Sequence, residues 1–243
     1  MDVSDDAMVP GGLEPFGEVR RAIVVCAHAD DMETMIGGTL RLLADRGVET
    51  YELICTLGDL GAHDESYTRR SLAEARKVEA ENGARLLGVR EVVTLDYHDG
   101  ELEPTLELRA EVARYYRLWQ PDTLFTFDPS WSGQIHADHR AAGRAAVDAL
   151  MPSRMRLYRP EQLADSQVGV VKWVYFFTPA NPSIFVDVGG VYDHKLAACL
   201  THRSQFPEGE KNLEWMRDLD RAAARRSSGN MEYAEQFDQL RLW

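Results

Sequence analysis

RAIVVCAHADD (Arg21–Asp31) is the stretch whose reading decides the fold. Its first part, Arg21–Ala27, is a short continuous apolar run, the pattern of a strand covered on both faces. The polar cluster His28-Ala29-Asp30-Asp31 follows at once, and then a helical stretch over roughly Glu33–Asp45 that Gly47 closes. Outward from this unit the alternation repeats. Val48–Thr56 reads as a second strand, and the Gly/Asp-rich loop LGDLGAHDES leads into a helix from Thr68 to about Leu87, ended by Gly88. Glu91–Asp96 is a third strand, Thr105–Trp119 a helix, Asp122–Phe127 a fourth strand, and HADHR opens a helix running to about Leu150.

Strand and helix alternating at this spacing imply right-handed crossovers, hence an α/β fold. We expect a Rossmann-like, doubly wound, mostly parallel sheet with helices on both faces and strand order 3-2-1-4-5 at its centre. The later part is less regular: Lys172–Phe177 and Ile184–Val188 read as strands, Asp193–His202 and Phe206–Arg226 as helices, and the tail ends in apolar Leu242 and Trp243. At 243 residues with 44% hydrophobic content, the chain is expected to form one domain over 1–243. Residues 1–20 read as a loose polar lead-in and 206–243 as a C-terminal helix and tail.

The balance of 27 basic against 40 acidic residues, a net charge of −13, argues against nucleic acid or an anionic membrane as the main partner. Cys26, Cys55 and Cys199 are far apart and lack CxxC spacing, so neither disulfides nor a cysteine metal site are expected. The N-terminus lacks the apolar core of a signal peptide, and no apolar run approaches the ~18–20 residues of a membrane span. The expected location is cytoplasmic.

Two segments collect the chemistry. His28–Asp31 lies at the carboxyl end of the first strand; His136-Ala137-Asp138-His139 follows the fourth. In the expected order these strands are neighbours, and ligands bind a doubly wound sheet in the crevice at the carboxyl ends beside the reversal. About a hundred residues apart in sequence, the segments therefore meet. His28, Asp31 and His139 make a two-histidine, one-carboxylate set with a position left open, which is how a catalytic zinc is held. His136 and His139, three apart, point the same way on a helical turn. Asp30 is left free to act as a base. Taken singly, a strand-end histidine is more often a cap, and adjacent aspartates are commonly a helix N-cap; it is the convergence that favours a site.

These residues resemble the PIG-L/LmbE-like zinc de-N-acetylase family, whose signature is AHPDD, a GGT element and a distant HPDH. The corresponding stretches here are AHADD, Gly37-Gly38-Thr39 and HADHR. Thr56-x-Gly58 with Gly61, Arg70 and Glu74 with LLGV (Leu86–Val89), YHDGEL (Tyr97–Leu102), and the late block from Val186-Asp187-Val188 through Lys195 to His202-Arg203-Ser204-Gln205 resemble further family elements. The match spans about residues 21–205. Ala29 and Ala137 replace two prolines, and Gln134 stands where some members place an aromatic hydroxyl.

The resemblance implies an LmbE-like fold, one Zn²⁺ or other divalent ion per chain, and hydrolysis of an N-acyl amino sugar or glycoconjugate, with a homo-oligomer as the expected assembly. It implies Asp30 as general base and His136 as a second stabiliser or acid. Asp138 then either orients an imidazole or caps the helix. Arg69, Arg70, Trp131 and His202 are further candidates for contacts to the substrate, each with an ordinary surface or packing reading beside it. Two rivals keep the site and change its use: a non-haem iron oxygenase, which uses the same ligand types, and a sugar-binding module without catalysis.

Overall fold

A computed structural model describes Leu13, residues 16–227 and residues 229–242; most of the expected lead-in, and Trp243, lie outside them. The first half follows the expected alternation: β1 (Arg21–Cys26), α1 (Asp31–Asp45), β2 (Glu49–Thr56), α2 (Arg69–Leu87), β3 (Glu91–Tyr97), α3 (Leu106–Trp119), β4 (Thr123–Phe127) and α4 (Ala137–Arg154). The second half holds β5 (Trp173–Phe177), β6 (Ile184–Asp187), α5 (Tyr192–Cys199), α6 (Glu214–Arg226) and β7 (Ala234–Arg241). Helix boundaries sit where local chemistry puts them. The Thr68 side chain accepts the Ser71 N–H and the Thr105 side chain that of Leu108, while Gly88 ends α2 at φ 82°.

The sheet order is β3-β2-β1-β4-β5-β7-β6, parallel from β3 to β5, with β7 antiparallel to both its neighbours. The order reverses beside β1, as a doubly wound sheet requires. The period-2 alternation of β1 divides the core: Ala22, Val24 and Cys26 pack under α1, α2 and α5, whereas Ile23, Val25 and Ala27 pack under α3 and α4. That double burial explains why the strand reads as an unbroken apolar run. No helix among the described residues is long and apolar enough to cross a membrane.

Two expectations for the C-terminal part change. The helix expected over Phe206–Arg226 is a 3₁₀ turn (Gly209–Leu213) followed by α6, because Pro207 lacks an N–H and Gly209 takes φ 63°. The tail is not a loose appendage but the sheet's seventh strand, and Leu242 packs onto the α3/α4 side of the core.

Candidate active site and metal centre

His28, Asp30 and Asp31 leave the carboxyl end of β1, and His136, Asp138 and His139 stand at the entry of α4, beyond the neighbouring β4. The expected convergence is what the fold produces. His28 Nδ1 lies 3.2 Å from His139 Nε2 and 3.6 Å from Asp31 Oδ2; Asp31 Oδ1 lies 3.2 Å from His139 Nε2. The two ring nitrogens and the two oxygens of the Asp31 carboxylate therefore converge in a cleft of about 350 Å³, and the ligand-type atoms of His28, His136 and His139 lie within 4.8 Å of one another.

Each donor is fixed by its own surroundings. Asp31 Oδ2 accepts the backbone N–H groups of Ala27 (3.0 Å) and His28 (2.8 Å), which leaves Oδ1 turned inward. His139 is stacked between Phe127, the last residue of β4 (4.0 Å, 11°), and His136 (4.5 Å, 18°). On its far side, His28 Nε2 faces Asp99 Oδ1 at 3.1 Å and Asp138 Oδ2 at 3.4 Å. Asp138 is fully buried and also accepts the N–H groups of Gly100 (2.7 Å) and Leu102 (3.4 Å), which ties the loop after β3 to the site. It does not cap α4; His136 does, its Nδ1 accepting the Asp138 N–H at 3.3 Å. In the neutral His136 ring the proton consequently sits on Nε2, where it is available for donation.

Burial alone would depress the His28 imidazole, yet the charge of Asp31, with the hydrogen bonds that Asp138, Asp31 and Asp99 accept from the ring, pushes its pKa up to about 12. Burial would raise the Asp31 carboxyl, but His139 and His28 hold it well below the usual range. His136 moves the other way, lowered first by burial and then by the neighbouring imidazoles of His28 and His139. The pattern is that of a site with a surplus of carboxylate and with two imidazole nitrogens nose to nose, an arrangement that calls for a shared cation between them. All three cysteines are buried and free, with thiols pushed up by burial, and none belongs to the cluster. Two imidazoles and a carboxylate without thiolate fit a divalent ion. A second group of ligand-type atoms, His28 Nε2 with Asp99 and Asp138, lies on the other edge of the same ring. There Asp138 already holds two backbone N–H groups, Asp99 faces Arg76, and both carboxylates face His28 Nε2, so that edge orients the ring.

Asp30 lines the same cleft but has a partner of its own. Its side chain makes no helix-capping bond; Oδ1 instead accepts from Arg76 Nη2 at 3.1 Å. Arg76 is almost fully buried, gives Nη1 to the Gly58 carbonyl (3.0 Å) and stands 3.6 Å from Asp99 Oδ2. A Cβ on Gly58 would come within 2.7 Å of that guanidinium, which is why the loop after β2 needs glycine there. Arg76 and Asp99 both line the cleft, and a reading of short motifs misses them. A signal for Arg76 existed: it falls between Leu72 and Ala80 at four-residue spacing, a charge on the buried stripe of α2.

Four other candidates are not brought to the cleft. Arg70 pairs with Glu74 along the exposed face of α2, and Arg69 with Glu101 and Asp59. His202 is fully buried and faces Glu33 at 3.3 Å, beneath α1. The Trp131 ring lies over its own turn, where a Cβ on Gly133 would touch it. Gln134 Oε1 accepts the His136 N–H at 3.2 Å and steadies the loop.

Residues 23–150 match the family model described as GlcNAc-PI de-N-acetylase, PIG-L. The chain is 33% identical over 196 residues to the diacetylchitobiose deacetylase of Thermococcus kodakarensis, covering 80% of this chain and 73% of the relative. It is 26% identical over 232 residues to the 4-oxalmesaconate hydratase of Pseudomonas putida, covering 89% and 87%. The N,N'-diacetylchitobiose deacetylase of Pyrococcus horikoshii, solved with an inhibitor, superposes with a TM-score of 0.88 at 30% identity, over 95% of this chain and 87% of that one.

Proposed function

The chain belongs to the GlcNAc-PI de-N-acetylase (PIG-L) family, and on that premise we propose a metal-dependent hydrolase that removes an acyl group, acetyl above all, from the nitrogen of an amino sugar. The observation that carries the reading is the meeting of His28 Nδ1, His139 Nε2 and the Asp31 carboxylate in one cleft, which Asp30, free of any capping duty, also lines. His28, Asp31 and His139 would hold the ion, taken to be zinc, one per chain. When bound, such an ion acidifies water and polarises a carbonyl.

The chain's own groups do the rest. Asp30, oriented by Arg76, accepts the proton of the attacking water and passes it to the leaving amine. His136 Nε2–H donates to the amide oxygen as charge develops there. Asp99 and Asp138 fix the orientation of the His28 ring and leave its Nδ1 lone pair for the ion.

The test is amine release by the zinc-loaded protein across a panel of N-acyl amino sugars, with elemental analysis and oxygen uptake in parallel. Amine and acetate in equal amounts, without oxygen consumption, are expected. A metal-replete protein that frees no amine from any of them overturns the reading, and the hydratase relative then directs the search to water addition across a double bond.

We also take the chain to be one cytoplasmic folding unit, since β7 lies inside the sheet, between β5 and β6. Self-association is proposed as well, through exposed Met151, Met155, Leu157 and Val170, on segments joined by the Gly169 N–H to Ser153 carbonyl bond. A light-scattering mass near 27.5 kDa would remove that idea.

A further inference from the structure

The roles assigned so far use the floor of the cleft and one of its sides. The cleft is also lined by the apolar side chains of Met35, Leu60 and Trp215. Leu60 is 54% and Trp215 47% exposed. The Trp215 indole has no hydrogen-bond or ring partner among the described residues. Trp119 shows the contrast: its Nε1–H reaches Glu91 at 3.2 Å and its ring stacks on Tyr51 at 5.0 Å. The helix that carries Trp215 is anchored, because Met216 is fully buried and Asp220, one turn further along α6, takes an ion pair from buried Lys195 at 2.8 Å. An exposed, unpartnered aromatic face at the rim of a polar cleft is a surface waiting for an apolar plane.

A pyranose ring offers such a plane: hydroxyls at its edge, C–H groups on its face. With the N-acyl group at the floor, the ring that meets the rim is the neighbour of the ring being deacylated. We propose that Trp215, assisted by Leu60, is the stacking platform for this second sugar ring and makes the enzyme prefer a disaccharide over a monosaccharide. The inference rests on the deacetylase reading of the same cleft. Trp215 is offered as a specificity residue that takes no part in the chemistry.

The experiment compares wild type, Trp215→Ala and Trp215→Phe, all zinc-loaded, on N,N'-diacetylchitobiose, N-acetylglucosamine and its methyl glycoside; the last separates a second ring from a mere anomeric substituent. Trp215→Ala should raise KM for the disaccharide by about tenfold, with kcat and both single-ring substrates within about twofold. Trp215→Phe, which keeps a stacking face, should recover most of the loss. An equal loss on all three substrates, or none on the disaccharide, overturns the proposal. If Trp215→Ala does not fold, the Phe variant and Leu60→Ala carry the comparison. If wild type releases no amine at all, calorimetric binding decides instead. Tighter binding of the disaccharide than of the monosaccharide, levelled in Trp215→Ala, supports the platform even though the deacetylase reading has failed; equal binding ends it.

Discussion

Two adjacent carboxylates part company at the start of α1. Asp31 is locked by the amides of Ala27 and His28, and Asp30 by the Arg76 guanidinium. The amide contacts do for this loop what a proline would do at Ala29, and the bond from the Asp138 N–H to His136 does so beside Ala137. Asn cannot accept the water's proton, so Asp30→Asn should keep fold and metal and lose ~10²–10⁴-fold in kcat. The competing idea, a helix cap that Asn would replace, is already at odds with a side chain that makes no capping bond. A metal-replete Asp30→Asn protein within about threefold of wild type would remove the base assignment. Asp31→Ala should lose metal, and stoichiometric ion at unchanged affinity would break the ligand set. The residues of the two short segments were legible because one strand end and one helix start fix them locally. Arg76 and Asp99 were not, since their approach depends on how the loop after β2 and the end of β3 meet across the crevice.

At the scale of elements, the part the sequence hid is β7. AEQFDQLR is polar enough to pass for an exposed tail, because its Glu235 is buried for a purpose that alternation does not reveal. α1 departs from helical geometry at Ile36, and the Gly38 and Thr39 N–H groups donate to Glu235 at 2.9 and 2.7 Å. Gly38 has no room for a side chain, since a Cβ would come within 2.6 Å of Val188. Lys195 of α5 pairs with both Glu235 and Asp220, each at 2.8 Å, so one ammonium ties β7 and α6 to α5, while Glu235 ties β7 to α1, the helix that carries Asp31. Its pKa is raised: burial works against the charge, and Asp220 and Glu235 more than restore it. Lys195→Met would leave two buried carboxylates without their cation, a loss of ~3–5 kcal/mol. At ~2–4 °C per kcal/mol for a chain of this size, Tm should fall by about 6–20 °C. A fall of less than about 2 °C would mean that water reaches this cluster and that it does not anchor the sheet's last strand. The regular βα units of the first half were readable because apolar runs and glycine stops agree there, whereas the second half is organised by this long-range ion cluster.

For the molecule as a whole, the question is whether the imidazole–carboxylate cluster is complete without an ion. The chain carries a net charge of −13, and Asp30, Asp31 and Asp99 line one cleft, with Asp138 buried behind His28, while Arg76 is the one guanidinium among the described residues that line it. A cation bound only by the folded state stabilises it by mass action, about 2.7 kcal/mol at a hundredfold excess over Kd. For a domain of this length that is ~5–11 °C in Tm. The alternative is a cluster that makes do with protons: His28, with its pKa pushed up to about 12, could stay charged and stand in for the ion. The two cases differ in one melting experiment. If the ion is an integral part of the site, chelation lowers Tm by that amount, zinc restores it, and Asp31→Ala, with its inward carboxylate gone, no longer responds to either. If a protonated His28 suffices, wild type melts at the same temperature with and without chelator, and the assignment of His28, Asp31 and His139 as metal ligands falls with it.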